Sequence, residues 1–200
     1  MIYLGIDPGH NGGLAFIRKD GSATALDLFK TPVIGGRDYD VQVMKQLLRR
    51  YQDVYAVIEN QISMPGQGLT STLQTGKGFG IWLGLLAGCE IAHQVVSAKQ
   101  WQTKLFSGTS PKLDTKARSE IVAKRLFPSA DFRRSERAVK ADDGLTDAAC
   151  IAEYGRRLMG EFSAGVQKIL VPHVPLGSTP EICRRCGRYI PGDSEGCVTN

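Results

Sequence analysis

The alternation of apolar and polar positions cuts the chain into short strands first and helices later. Residues 2–7, IYLGID, are apolar until a closing acid and predict a strand. A Gly-rich turn at residues 8–13 leads into GLAFIRKD, a second strand, and Gly21 turns the chain into SATALDLFK, a third. Short strands separated by glycines predict an antiparallel meander. In DYDVQVMKQLLRRY the apolar residues Val41, Val43, Met44, Leu47 and Leu48 fall near one helical face, with Asp38 or Asp40 as the cap. VYAVIEN is almost continuously apolar and predicts a fourth, central strand covered on both faces.

Residues 61–71 predict a loop, and a helix is expected over residues 72–90. Gly76, Gly80, Gly84 and Gly88 recur there every fourth residue. Each glycine costs a helix up to about 1 kcal/mol against alanine, so the stripe calls for a close approach of another backbone, from this chain or from a partner. IAHQVVS predicts a fifth strand and AKQWQTKLF a short helix. DTKARSEIVAKRLFP predicts a helix capped near Asp114 or Thr115 and stopped by Pro128. SADFRRSERAVKA predicts a mobile polar loop, and residues 142–160 the last strong helix. The pattern then decays into a Pro- and Cys-bearing tail. Together these elements predict a mixed α/β layer fold, with one domain over residues 1–162 and a tail over 163–200.

Composition narrows the class. Hydrophobic residues make up 42% of the 200, enough for a packed core. No apolar run approaches the ~20 residues of a membrane span, no leader pattern is seen, and five cysteines do not make a disulfide framework. A reducing, cytoplasmic setting is expected, with no membrane partner. The net charge of +5 is concentrated: residues 97–140 hold eleven Lys/Arg against four Asp/Glu, so the remainder is slightly acidic. Such a segment suits a polyanion, nucleic acid first, although for a charge run alone a solvated helical surface is the favoured reading.

The acids change the picture further. Asp7 closes the first strand, Glu59 closes the fourth, and Asp142, Asp143 and Asp147 open the last helix. If the first and fourth strands are parallel neighbours, Asp7 and Glu59 emerge side by side. Asp143 and Asp147 are spaced i, i+4 and share a helical face, where like charges repel unless a cation lies between them. Singly, each acid has an ordinary explanation as a turn residue or helix cap; Glu59, after VYAVI, is the hardest to explain that way. Together, carboxylates from three elements can hold two Mg²⁺ ions, which prefer hard oxygen ligands and can drive phosphodiester hydrolysis.

GIDPG on the first strand, IEN closing the fourth and DDGLTDA opening the last helix resemble the RuvC-type Holliday-junction resolvases of the RNase H-like superfamily. VVSAKQWQTKLF and DTKARSEIVAKRLFP resemble the connecting region of phage and bacterial members, and the resemblance runs over residues 1–160. It implies an RNase H-like mixed five-stranded sheet flanked by helices, and a homodimer that makes paired, metal-dependent nicks in four-way junction DNA, leaving 5′-phosphates. The implied cofactor is Mg²⁺, with Mn²⁺ as substitute, and the implied location is the cytoplasm of a bacterium or a phage-infected cell. Asp7 and Glu59 match the first two metal acids and Asp147 the last. The third acid stands three residues earlier in the best-known members, where this chain has Gly144; Asp143 takes the role, with Asp142 as its substitute. Lys116 matches the family's basic residue near the scissile strand.

For holding DNA, Lys99, Lys104, Lys112, Arg118, Lys124 and Arg125 are candidate phosphate contacts, beside Lys116. In the family the loop after Glu59 carries an apolar wedge; Ile62 and Met64 are the candidates here. Trp101 and Phe106 are expected in the core, Cys89 and Cys150 as buried thiols, and His10 is not expected to be a ligand. Cys183 and Cys186 form a C-x2-C pair which, with Cys197 and His173, could complete a tetrahedral Zn²⁺ site in the tail.

Three rival functions remain. Actin-like kinases also begin with a strand, an acid and a Gly-rich phosphate turn, but they need two such domains. A junction-binding module without catalysis would lack one or more acids. A nuclease for other branched DNA or for RNA–DNA hybrids would keep them all.

Overall fold

The computed structural model describes residues 1–20, 23–36, 38–61 and 68–163, with the backbone of two short strands at 181–182 and 189–190. In chain order the elements are β1 (Ile2–Asp7), β2 (Gly13–Asp20), β3 (Ala23–Lys30), β4 (Val33–Ile34), β5 (Asp38–Tyr39), α1 (Val41–Leu48), β6 (Val54–Glu59), α2 (Leu69–Gly88), β7 (Ala92–Val96), α3 (Ala98–Leu105), α4 (Thr115–Leu126), α5 (Asp143–Ser163), β8 (Glu181–Ile182) and β9 (Tyr189–Ile190). Five strands form one sheet in the order β3-β2-β1-β6-β7. The meander β1-β2-β3 is antiparallel, whereas β6 runs parallel to β1 and β7 parallel to β6. The predicted mixed five-stranded sheet flanked by helices is therefore present.

Strand alternation decides which helices cover which face. On β1 and β6, Leu4, Ile6, Ala56 and Ile58 point to one face and pack with Met44 and Leu48 of α1 and Trp82 and Leu86 of α2. Val57, with Ala15 and Ile17 of β2, points to the other face, against Ala148, Ala149, Ile151 and Ala152 of α5. Gly5 shares that second face, and α5 lies directly on it. A Cβ at Gly5 would meet Ala148 O at 2.1 Å and Ala152 N at 2.3 Å.

The helix starts follow local chemistry. Asp40 caps α1 by accepting from Val43 N–H at 3.1 Å, and Asp114 caps α4 from Ala117 N–H at 2.8 Å. Ser97 and Gln100 form a reciprocal capping box at α3. α2 begins at Leu69, three residues before the expected start, and α5 continues to Ser163. The β4–β5 ladder was not expected; it lies in a turn-rich stretch with only two residues per strand. The glycine stripe of α2 meets none of the described residues: a Cβ at Gly76, Gly80, Gly84 or Gly88 would find no atom of theirs within 4 Å. Of the two expected reasons for it, packing within the chain is therefore absent among the described residues. Cys150 is buried as expected, whereas Cys89 is only partly so.

Candidate active site at the sheet edge

Register and alternation build the site. β1 and β6 pair with Gly5 opposite Val57 and Ile6 opposite Ile58, so Asp7 and Glu59 are the next neighbours along the two strands. Both are in phase with Gly5 and Val57, which puts their side chains on the α5 face. The N-terminus of α5 arrives at the same edge because Gly144 packs on the turn after β1. A Cβ at Gly144 would meet Asn11 O at 2.3 Å and Gly12 Cα at 2.7 Å. Any side chain at position 144 would collide with that turn, so a glycine rather than an acid stands there.

The four expected acids lie within one another's fields. Asp7 is pushed above the usual carboxylate range by burial, eased by the Gly9 N–H at 3.3 Å and by Lys30, and pushed further by Asp142. Burial also raises Glu59 to about 7; the Trp101 indole opposes the rise and the charge of Asp7 adds to it. Asp147 is likewise raised to about 7, by burial and then by Asp7, Glu59 and Asp143. The buried Ser119 hydroxyl beside Asp147 favours its charged form, short of a formed hydrogen bond.

Asp142 and Asp143 separate by their partners. Asp142 caps α5, accepting from Leu145 N–H at 3.3 Å, and pairs with Lys30 Nζ at 2.7 Å. Lys30 also donates to Asn11 O, so it ties the turn after β1 to the start of α5. Asp143 is exposed and pairs with Lys116 Nζ at 2.7 Å, which holds the ammonium above its ordinary range. Asp142 is thus committed to structure, and Asp143 is the acid free to change partner.

The donor set suits a hard divalent cation: four carboxylates from three elements, two of them strained by burial and mutual repulsion. Among the described residues, no three acid, His or Cys side chains converge on one cation position as they stand. Lys116 holds Asp143, and the Trp101 indole N–H holds Glu59 Oε2 at 2.6 Å.

The basic segment divides in two. Lys99 and Arg118 line a groove of about 540 Å³ with Gln102, Thr103, Phe106 and Ser107. Lys104 lies 5.8 Å from the centre of the Tyr154 ring, Lys124 pairs with Glu120, and Lys112 is exposed on the loop before α4. Arg118 donates to Thr109 Oγ1 at 2.8 Å and Arg125 to Ser107 O at 3.3 Å, so both fasten α4 to the turn after α3. Ile62, Met64, His173, Cys183, Cys186 and Cys197 lie outside the described residues. His10 packs edge-on against Tyr39, and its Nε2 is buried with no partner among the described residues.

Lys30 and the indole N–H of Trp101 were not foreseen as part of the site. Lys30 reaches an acid 112 residues away, and no local pattern announces that. Trp101 was read correctly as core; its one polar atom was the available signal, since buried indoles usually find an acceptor.

Sheet order, the acid-bearing strand ends and the covering α5 give the chain the same fold as RuvC. Thermus thermophilus RuvC superposes with a TM-score of 0.56 at 18% identity, covering 80% of this chain and 97% of that one. T. thermophilus RuvC in complex with Holliday junction substrate gives 0.53 at 16% identity, covering 79% and 96%. A Fowlpox virus resolvase in complex with its substrate Holliday junction DNA aligns more loosely, at 0.47 and 15% identity over 78% and 98%. No protein-family model matches the sequence, and no curated protein matches it significantly.

Proposed function

We propose that this chain is a Mg²⁺-dependent endonuclease that resolves DNA four-way junctions as a homodimer, by paired nicks. The observation that carries the reading is the set of acids on β1, β6 and α5 at one sheet edge, three of them pushed up chiefly by burial and the fourth, Asp143, paired with Lys116. The shared fold with RuvC, whose complex holds a Holliday junction, supports the choice of substrate.

Asp7, Glu59, Asp143 and Asp147 would hold the cation, Mg²⁺ or Mn²⁺. Bound there, divalent ions activate water and stabilise a leaving oxygen. The chain's own residues prepare that site. Gly12 and Gly144 bring turn and helix together, Lys30 locks them, and burial keeps water from screening the charges. Lys116, once Asp143 takes another partner, is placed to offset charge developing on a phosphate. Breaking the P–O3′ bond leaves a 3′-hydroxyl and a 5′-phosphate. Lys99, Lys104, Lys112, Arg118, Lys124 and Arg125 are our candidate phosphate contacts, and Ile62 or Met64, in the stretch that follows Glu59 in sequence, our candidate wedge.

Two nicks need two such sites, and α2 offers the surface for pairing. Leu69 and Leu73 are 85% and 70% exposed and continue the open stripe of Gly76, Gly80 and Gly84. In the tail, Cys183 and Cys186 with Cys197 and His173 are our candidate Zn²⁺ ligands, on the strength of their spacing in the sequence. No described helix is long and apolar enough to cross a membrane, in keeping with action on DNA in the cytoplasm.

The test is a labelled synthetic four-way junction incubated with Mg²⁺ or EDTA, beside Asp7→Asn, linear duplex and an RNA–DNA hybrid. Symmetric nicks are expected on the junction alone, lost with EDTA, and reduced about 100-fold or more by Asp7→Asn, equal to roughly 2.7 kcal/mol of barrier. Tight junction binding without cleavage, or preferential cutting of the hybrid, would overturn the assignment.

A further inference from the structure

Glu59 is held from the protein's interior by a buried side chain. Its Oε2 accepts from Trp101 Nε1 at 2.6 Å, and Trp101 is only 1% exposed. The indole cannot swing away. α3 is pinned at its start by the Ser97–Gln100 box, and Phe106 packs edge-on to the Trp101 ring at 5.5 Å. Behind Phe106 stands Arg118, with its Cζ 4.5 Å from the ring centre and its Nε on Thr109. Arg118 and Phe106 also line the groove that Lys99, Gln102, Thr103 and Ser107 complete. Trp101 and Gln102 are consecutive on α3, so one turn of helix faces the carboxylate on one side and the groove on the other.

A buried indole bonded to a carboxylate is not forced by packing alone. Trp82, equally buried under the opposite face of the sheet, leaves its Nε1 without a partner among the described residues. The Trp101 bond therefore has a consequence at the site: it fixes the carboxylate plane and occupies Oε2, leaving Oε1 for a cation. Partners of this kind behind a ligand typically change metal affinity or activity 10- to 100-fold when removed.

We infer that Trp101 is the positioning residue of Glu59, and that the Phe106–Arg118 stack braces it from the groove where a DNA strand would lie. The inference rests on the nuclease reading for its purpose. The hydrogen bond itself can be tested apart from that reading.

The experiment replaces Trp101 in the full chain by benzothienylalanine, which keeps the ring's size and removes only the N–H. Mn²⁺ binding is titrated calorimetrically without DNA, and four-way junction binding is measured in EDTA. In parallel, ¹⁵N-indole labelling follows the Trp101 and Trp82 resonances in wild type and Glu59→Gln. The expected result is Mn²⁺ binding weaker by 10- to 100-fold, junction affinity within twofold of wild type, and a Glu59→Gln shift confined to Trp101. Mn²⁺ affinity within twofold of wild type in the isostere would overturn the positioning role. So would an unmoved Trp101 resonance. A wild-type chain that binds no Mn²⁺, yet shows the Trp101 shift, would refute the cation reading and leave the bond a structural one.

Discussion

The α5 face of the sheet and the outer side of α2 use glycine in opposite ways. On the α5 face, Gly5, Gly12 and Gly144 stand where one backbone rests on another, and an added methyl would come within 2.3 Å of a main-chain atom at each. On the α2 side, Gly78 is pressed against Tyr39 and Pro8, whereas the methyls that Gly76, Gly80, Gly84 and Gly88 lack would meet no atom within 4 Å among the described residues. Both sheet faces are covered, and the α5 face carries the acids, but the outer side of α2 is open among the described residues and bears the exposed Leu69 and Leu73. Glycine thus marks a contact already made under α5, and on the outer side of α2 a surface that none of the described residues covers.

Substitutions at these glycines should break the comparison most strongly. Gly144→Ala should destabilise by about 3 kcal/mol or more, since the main chain of the turn must move. A urea unfolding midpoint checks it, and loss of Mn²⁺ binding should accompany it. The acids give the next effect. Glu59 and Asp147, both raised to about 7, bind more protons in the folded than in the unfolded chain between about pH 4 and 7. Stability of the metal-free protein should therefore fall as pH rises through that window, by at least about 2 kcal/mol. Urea midpoints across pH would show the slope, and saturating Mg²⁺ should flatten it. Lys30→Met removes the tie between the turn and Asp142 and should cost about 1.5 kcal/mol, read as a lower urea midpoint. Gly80→Ala should act in the other direction. With open space for the methyl, it should raise the melting temperature of the isolated subunit by the equivalent of about 1 kcal/mol or less. Gly80→Arg should weaken self-association in sedimentation equilibrium while leaving the fold intact.

Much of the acid-bearing face was legible in the sequence, for a definite reason. Strand period two and a short Gly turn are local signals, and they placed Asp7 and Glu59 at adjacent strand ends once β1 and β6 were taken as parallel neighbours. The i, i+4 spacing set Asp143 and Asp147 on one face of α5. The choice between Asp142 and Asp143 needed tertiary facts. Gly144 is squeezed by Gly12, and Lys30 from β3 claims Asp142. The same holds for Trp101, whose burial could be read from pattern but whose acceptor could not. The α2 stripe was legible as a stripe, and only the fold reveals that its face is bare. Arg118 and Arg125, candidates on charge alone, prove also to be struts between α4 and the turn after α3.

The claim that joins these findings is that the edge of β1, β6 and α5 is a divalent-cation site with Asp143 held in reserve by Lys116. Anomalous diffraction from crystals grown with Mn²⁺ tests it most directly. The account predicts a peak within about 2.5 Å of carboxylate oxygens of Asp7, Glu59 and Asp147, with Lys116 withdrawn from Asp143. A saturating Mn²⁺ concentration that leaves this edge without a peak, and Lys116 still paired, would contradict it.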